Sequence, residues 1–224
     1  MKERNYVQRE QLSALREDVL VRAEEQFRRM DETAEYNTKK VLDAMRECRI
    51  SDAHFGVSAG YAYSDLGREK LDELYARVFG AERALVRTQF VSGTHALATV
   101  LFGILRPGDQ LVSITGAPYD TMQTVIGWAH ESVGSLKEFG VDYDELPMRD
   151  GRVDMDGIDR IVTARTKVAL VQRSRGYSER EPLSIEDIRA VSARIKAANP
   201  NCIVFVDNCY GEFVDTVEPT ELPT

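Results

Sequence analysis

The sequence predicts an α/β fold in which helices cover a mainly parallel sheet, and two observations carry this reading. From about residue 84 onward, apolar runs of strand length alternate with amphipathic segments: ALVR, SGTHALATVLFGIL, QLVSIT from 110, PYDTMQTVIGW, KVALVQ from 167, SIEDIRAVSARIKAA and CIVFVD from 202. Strands joined through helices run parallel, and strands buried on both faces read as continuous apolar runs. Turn and cap signals agree with that alternation. RPGD at 106–109 separates a helix from the next strand, and Ser184 with Asp187 three residues later resembles a capping box ahead of a helix ending near Asn199-Pro200.

The elements ahead of the alternation are helical. Residues 8–30 and 33–48 have helical periodicity, with Leu12, Leu15, Val19 and Ala23 on one stripe and Val41, Leu42 and Met45 on another, so two leading helices are expected. A Gly-rich aromatic loop, HFGVSAGYAYSDLG at 54–67, follows. A third helix is expected from about Arg68 to Phe79, ended by Gly80, whose lack of a side chain suits a left-handed cap. There is no internal repeat and no low-complexity stretch.

Composition narrows the function classes. The formal net charge is −8 and no Lys/Arg stripe is concentrated anywhere, which argues against a nucleic-acid surface, because phosphate binding depends on clustered cations. The start, MKERNYVQREQL, is too charged for the apolar core of a secretory signal, and no later stretch approaches the roughly 20 apolar residues that span a bilayer. A cytoplasmic protein with no membrane partner is expected, acting on a small molecule. Cys48, Cys202 and Cys209 are odd in number and lack CxxC spacing, so reduced thiols are expected, with neither a disulfide framework nor a metal site.

Three segments carry candidate chemistry. In VSGTHALATVLFGIL, Ser92, Gly93 and Thr94 stand where a strand-like stretch gives way to a helix. Exposed amides at a helix start, with a glycine and two hydroxyls, suit a phosphate; an ordinary N-cap explains the same residues. In CIVFVDNCYGEF an apolar run delivers Asp207 to the C-terminal end of a buried strand, the edge at which open α/β sheets bind ligands. A carboxylate there can hold a pyridinium nitrogen protonated, or cap a loop, or bind a metal, though Asn208, Cys209 and Glu212 make no recognisable ligand set. In GAPYDTM, Tyr119 reaches the same edge, to stack on a flat ring or simply to pack.

Two loops add donors. GYAYSDLGR offers Tyr61, Tyr63 and Arg68, and QRSRGYS offers Arg173, Ser174, Arg175 and Tyr177. Arginine and tyrosine suit phosphate or carboxylate groups, while solvated surface charge is the alternative for each arginine taken singly. His95 follows the phosphate-type turn, and no histidine is assigned as a general base. Neither GxGxxG nor GxxxxGK[ST] occurs, so dinucleotide and P-loop readings lose their main support.

Taken together, GYAYSDLGR, VSGTHALATVLFGILRPGDQL, GAPYDTMQTVIGW, GSLKEFGVDYDELP, VQRSRGYS and IVFVDNCYGEFVDTVEPTE closely resemble the aluminium resistance proteins. These are described as methionine gamma-lyase-like and belong to the Cys/Met-metabolism branch of pyridoxal-phosphate enzymes. The resemblance runs through nearly the whole chain in consistent order. It implies the pyridoxal-phosphate-dependent transferase fold type I, similar to aspartate aminotransferase, with residues 1–60 a helical segment and 61–224 part of the large cofactor-binding domain. It further implies pyridoxal 5'-phosphate as cofactor, with Ser92, Gly93 and Thr94 at its phosphate, Tyr119 on its ring and Asp207 at its pyridine nitrogen. Tyr63 and Arg68 match the loop that in related enzymes reaches the phosphate of a neighbouring subunit, so a homodimer or homotetramer is implied. Arg173, Arg175 and Tyr177 are expected at the substrate. The reaction implied is elimination on a sulfur-containing amino acid, a carbon–sulfur lyase activity.

One feature departs from the family. Its members hold the cofactor as a Schiff base on a lysine downstream of the aspartate, and no lysine follows Asp207. Lys137, Lys167 and Lys196 read as a loop residue, a strand start and a helix-surface residue. The expectation is a chain lacking the end of the large domain and the small C-terminal domain, inactive as it stands. Two alternatives are a lysine-free binding or regulatory protein that retains the cradle, and a generic nucleotide- or sugar-phosphate-binding domain.

Overall fold

Four strands, β1 (Gln110–Ser113), β2 (Asp142–Glu145), β3 (Thr166–Gln172) and β4 (Ile203–Asp207), form one sheet in the order β2-β1-β3-β4, every neighbouring pair parallel. The computed structural model describes residues 2–58, 65–129 and 132–223. Tyr61, Tyr63 and His130 lie outside the described residues.

Side-chain alternation along the strands builds a core on each face of the sheet. Val168 and Leu170 of β3, with Leu111 of β1, turn to one side and meet Leu101 of α3 (Gly93–Ile104), Leu105 at its C-cap, and Met122 and Ile126 of α4 (Asp120–Ile126). Ala169 and Val171, with Val112 and Ile114, turn to the other. There they meet Ile158 of α5 (Met155–Ile161) and Ile188, Val191 and Ile195 of α6 (Ile185–Ala198). Leu101, Leu111, Ile114, Ile158, Ile188 and Ile195 are fully buried. Each such side chain contributes about 1.5–3 kcal/mol of burial free energy, so the two clusters hold the sheet between helical layers.

Local signals set the boundaries. Arg106 N–H donates to Asp109 Oδ2 at 2.8 Å and Asp109 N–H returns to Arg106 C=O at 3.0 Å, closing the turn before β1. Ser184 Oγ accepts the Asp187 amide at 3.1 Å while Asp187 Oδ2 accepts the Ser184 amide at 2.9 Å, so the expected capping box starts α6, and Asn199 caps its end. α2 (Leu66–Val78) is the expected third helix, N-capped by Asp65, and Gly80 just beyond its end takes φ +59°.

Three expectations are corrected. The two leading helices are one, α1 (Lys2–Glu47). No glycine or proline interrupts 31–34, and the ion pairs Glu25–Arg29 and Arg28–Glu32 run up to the supposed joint. ALVR forms no strand: the Val86 amide is claimed by Asp72 Oδ1 at 2.8 Å and Arg87 forks onto the same carboxylate at 2.7 and 2.9 Å, which turns the segment onto α2. β2 and α5 are additional elements. DYDE succeeds as a strand because it sits at the sheet edge and needs only Tyr143 to pack, against Trp128 at 5.0 Å between ring centroids.

α1 joins the body through its C-terminal part. Ala44 and Cys48 are buried, Asn37 Nδ2 donates to the Phe213 and Asp215 carbonyls at 3.0 Å each, and Lys40 pairs with Glu221 at 3.1 Å. Leu12, Leu15, Phe27 and Met30 of the other half are exposed. Among the described residues no helix is long and apolar enough to cross a membrane.

Candidate functional site

The chain leaves β1 toward β2 on one side and returns to place β3 on the other, so the loops after β1 and β3 diverge. A crevice at the carboxyl ends of the strands follows from that reversal, and it is where open α/β sheets bind ligands. A cavity of about 1210 Å³ opens there. It is lined by Gly93 and Thr94 from α3, Tyr119 after β1, Gln172 at the end of β3 and Asp207 at the end of β4.

The α3 wall is built by capping. Ser92 is the N-cap, with extended backbone, and its Oγ accepts the His95 amide at 3.1 Å. Ser92 thus holds the helix start in place, and Gly93 and Thr94 rather than Ser92 line the cavity. A Cβ added at Gly93 would meet nothing within 4 Å. Thr94 Oγ1 bonds Thr121 Oγ1 at 2.9 Å and lies 3.4 Å from Tyr119 Oη, so two hydroxyls and a phenol converge on the helix end.

Tyr119 is half-buried, and its amide reaches Gln172 Oε1 at 3.4 Å. Burial pushes its phenol pKa up, the Thr94 hydrogen bond opposes that, and the charge of Asp207 adds to it. Gln172 pairs in register with Asp207 across the β3–β4 ladder.

Asp207 is 6 % exposed. Its Oδ1 accepts the Cys209 amide at 3.1 Å, and among the described residues it has neither a cationic partner nor a hydrogen bond to Oδ2. Burial pushes its carboxyl above its usual pKa; the Cys209 N–H opposes the shift and Glu212 adds to it. A buried carboxylate without a countercharge is costly, and a cationic N–H supplied by a ligand would relieve it.

The remaining predicted residues divide by burial. Arg175 and Tyr177 stand exposed at the cavity rim. Arg173 lines the cavity but is 4 % exposed, and its guanidinium is engaged by Leu183, Asn208, Gly211 and Asp215. Arg68 sits in the first turn of α2, paired with Asp65 at 3.4 Å, and is not among the cavity residues. None of Lys137, Lys167 and Lys196 lines the cavity. Sequence reasoning passed over Gln172 and Glu218 and weighed Asn208 only as a metal ligand; the one signal for Gln172 and Asn208 is their place at or just after apolar strand runs, and Glu218 has none. Among the described residues no group of His, Cys, Asp and Glu is placed to hold a metal ion, and the three cysteines are free.

Comparison with known proteins bears on the fold and the family. The family model for methionine gamma-lyase matches residues 12–224. A carbon–sulfur lyase involved in aluminium resistance from Clostridium novyi is 45 % identical with a TM-score of 0.87, the match covering 92 % of this chain and 49 % of that one. A candidate cystathionine beta-lyase involved in aluminium resistance from Listeria monocytogenes is 48 % identical with a TM-score of 0.90, covering 93 % and 53 %. The uncharacterised protein YnbB of Bacillus subtilis is 46 % identical over 194 residues, 86 % of this chain and 46 % of that protein. The chain therefore spans about half the length of these relatives. A pyridoxal-5'-phosphate-dependent protein of Escherichia coli, 19 % identical with a TM-score of 0.57 over 80 % of this chain and 45 % of that one, shares the fold, which is fold type I. By the match over residues 12–224 and the 45–48 % identity to the aluminium-resistance proteins, the chain belongs to the methionine gamma-lyase family.

Proposed function

We propose that this chain supplies the pyridoxal 5'-phosphate cradle of a carbon–sulfur lyase acting by elimination on a sulfur-containing amino acid. The observation that carries the reading is Asp207: a buried carboxylate without a cationic partner among the described residues, in one cavity with a helix N-terminus and a tyrosine. A ligand that satisfies all three carries an acceptor-rich anion, a flat ring and a basic nitrogen, and pyridoxal phosphate has these in one molecule.

In this reading the α3 start, with the Gly93 amide and the Thr94 hydroxyl, holds the phosphate, and Ser92 supports it as the cap. Tyr119 lies against the ring, and Asp207 keeps the pyridine nitrogen protonated. When bound, the cofactor supplies an electron sink for the pair left as the substrate Cα loses its proton. Arg175 and Tyr177, at the rim, are placed to orient a substrate carboxylate. Tyr63 and Arg68 serve the phosphate of a neighbouring copy in a homodimer or homotetramer. Among the described residues no lysine lines the cavity, so in this reading these residues hold the cofactor without a covalent anchor of their own.

Titrating the purified chain with pyridoxal phosphate, followed by borohydride reduction and mass analysis, tests this. Saturable absorbance change without a reducible adduct, lost in Asp207→Ala, is the expected result. Binding that does not distinguish pyridoxal phosphate from inorganic phosphate would sink the reading in favour of a generic phosphate domain. A site-specific adduct on one lysine would refute the missing anchor.

A further inference from the structure

We propose that Arg173 is a positioning residue for Asp207, a guanidinium post around which the turn following β4 is wound. The inference rests on the reading that Asp207 meets the ring nitrogen of pyridoxal phosphate, and it assigns a role to a guanidinium that hydrogen-bonds to neither the Asp207 carboxylate nor that nitrogen.

Arg173 is the first residue past β3. Its amide donates to the Asp207 carbonyl at 3.0 Å, extending the β3–β4 ladder by one rung. Its side chain then turns under the loop 208–215. Nε donates to Leu183 C=O at 3.3 Å, Nη1 to Asn208 Oδ1 at 2.9 Å and to Gly211 C=O at 2.8 Å, and Nη2 to the Asp215 carboxylate. Four acceptors, one at Leu183 and three along the loop 208–215, converge on one planar fork, an arrangement that an ammonium cannot reproduce. Gly211 is the residue that lets the fork in: a Cβ there would lie 2.7 Å from Cδ and Nη1 of Arg173.

The loop so held is not one the backbone adopts freely. Tyr210 and Phe213 both take left-handed conformations, at φ +69° and +60°, which bulky residues avoid unless the surroundings impose them. The imposed contacts form one network. Asn208 passes from Arg173 to the fully buried Glu218, whose Oε2 accepts Asn208 Nδ2 at 3.1 Å and whose Oε1 accepts the Phe213 amide at 2.8 Å. Asn37 of α1 ties the Phe213 and Asp215 carbonyls. Among the described residues Arg173 alone reaches both ends of this loop and its middle.

The consequence for the site passes through Cys209. The Cys209 amide is the group that fixes Asp207 Oδ1, leaving Oδ2 for a ligand, and Cys209 sits between Asn208 and the strained Tyr210. Releasing Asn208 and Gly211 frees the turn and with it that amide. The charged and titratable groups facing Asp207 are Glu212 and Cys209 on the same loop and Tyr119 across the cavity; the guanidinium acts by holding geometry, through the loop.

The test compares the wild-type chain with Arg173→Lys, which keeps the charge and loses the fork, and with Asp215→Asn, at a half-exposed position that keeps the chain folded if the lysine variant does not. In the ligand-free chain, Arg173→Lys is expected to speed hydrogen exchange of the Cys209 amide by about tenfold, with Phe205, whose amide faces β3 in the β3–β4 ladder, unchanged. With pyridoxal phosphate bound, the pH at which the ring nitrogen loses its proton, read from absorbance, is expected to fall by about one unit, a tenfold weaker hold on that proton. Asp215→Asn should move both in the same direction by less. Unchanged Cys209 exchange overturns the post; faster exchange with an unmoved ring-proton midpoint leaves Arg173 a packing residue and overturns its positioning role. If the wild-type chain does not bind pyridoxal phosphate, the reading of the site has failed, and the exchange measurement still decides for or against the post.

Discussion

Replacing Gly211 with alanine places a Cβ 2.5 Å from Asn208 Oδ1 and 2.7 Å from Cδ and Nη1 of Arg173, closer than the 3.0 Å that real Cβ atoms respect. Something must move, and the neighbours are poorly able to. Asn208 is held from its other side by Glu218 at 3.1 Å, and Arg173 is nearly enclosed. The guanidinium therefore withdraws and gives up its bonds to Asn208 at 2.9 Å and to Gly211 C=O at 2.8 Å. Hydrogen bonds made by a charged group contribute about 1.5–3 kcal/mol each. The reduced freedom of the unfolded chain returns about 0.4–1 kcal/mol. Gly211→Ala is thus expected to destabilise the chain by about 2–5 kcal/mol. Urea unfolding followed by far-UV circular dichroism and by Trp128 fluorescence measures this. A loss under about 0.5 kcal/mol with an unchanged denaturant slope would refute the reasoning, since the guanidinium would then have somewhere else to go.

Gly93→Ala is the contrasting case: its Cβ meets nothing within 4 Å, so stability should hold or rise by a few tenths of a kcal/mol, while pyridoxal phosphate affinity falls at least about tenfold because the ligand fills that space. Equal affinity in the two chains would remove Gly93 from the cradle. For Asp207 the sign follows from its raised pKa: the folded state keeps the proton more tightly than the unfolded chain, so stability falls as pH rises from the unfolded value, about 3.9, through the folded one, and the cost stands in full above the folded one. Asp207→Asn should therefore stabilise the ligand-free chain at pH 7, change it little below about pH 3.5, and abolish pyridoxal phosphate binding; a variant less stable than its parent at pH 7 contradicts this. Thr33→Pro should unravel the half of α1 ahead of it, lowering helical ellipticity, yet leave the urea midpoint of the body nearly unmoved, because among the described residues the ties of α1 to the body begin at Asn37. A large drop in that midpoint would mean that the exposed half supports the core.

The parts of the fold legible in the sequence are those whose cause is local. β3 and β4 read as apolar runs because they are internal or deliver a buried end, and α6 announced itself through Ser184 and Asp187, three residues apart. β2 was illegible for the opposite reason: an edge strand asks little of its side chains, and DYDE offers only Tyr143. The continuity of α1 was hidden because its apolar stripe changes phase between Ala23 and Val41, while the exposed ion pairs that carry the helix across leave no apolar signal. At the site, Gly93, Thr94, Tyr119 and Asp207 could be picked out from strand and helix ends alone, and the cavity brings them together. Arg173 read as a donor to the substrate because nothing near it in sequence reveals that Asn208, Gly211 and Asp215 will close over it. Asn37 is a stronger case, since its partners lie 176 and 178 residues away.

Stability and binding draw on different residues in this chain, and the sheet order explains why they can. The two cores lie along the length of the strands, where Val168, Leu170, Ala169 and Val171 alternate into opposite helical layers. The cavity lies beyond the strand ends, at the reversal between β1 and β3, where no core side chain is needed. A buried Asp207 lacking a cation is tolerable there because the cores on either face already hold the strand that carries it. The same location exposes the arrangement to the loop after β4, which has no sheet hydrogen bonds of its own and contains two residues with positive φ. An unsupported loop would let the carboxylate turn outward and hydrate, which would relieve its burial and lose the ligand. Anchoring by Arg173, Glu218 and Asn37 opposes that relaxation, so under the proposed reading the carboxylate is kept aimed into the cavity by groups that bond the loop rather than Asp207 itself.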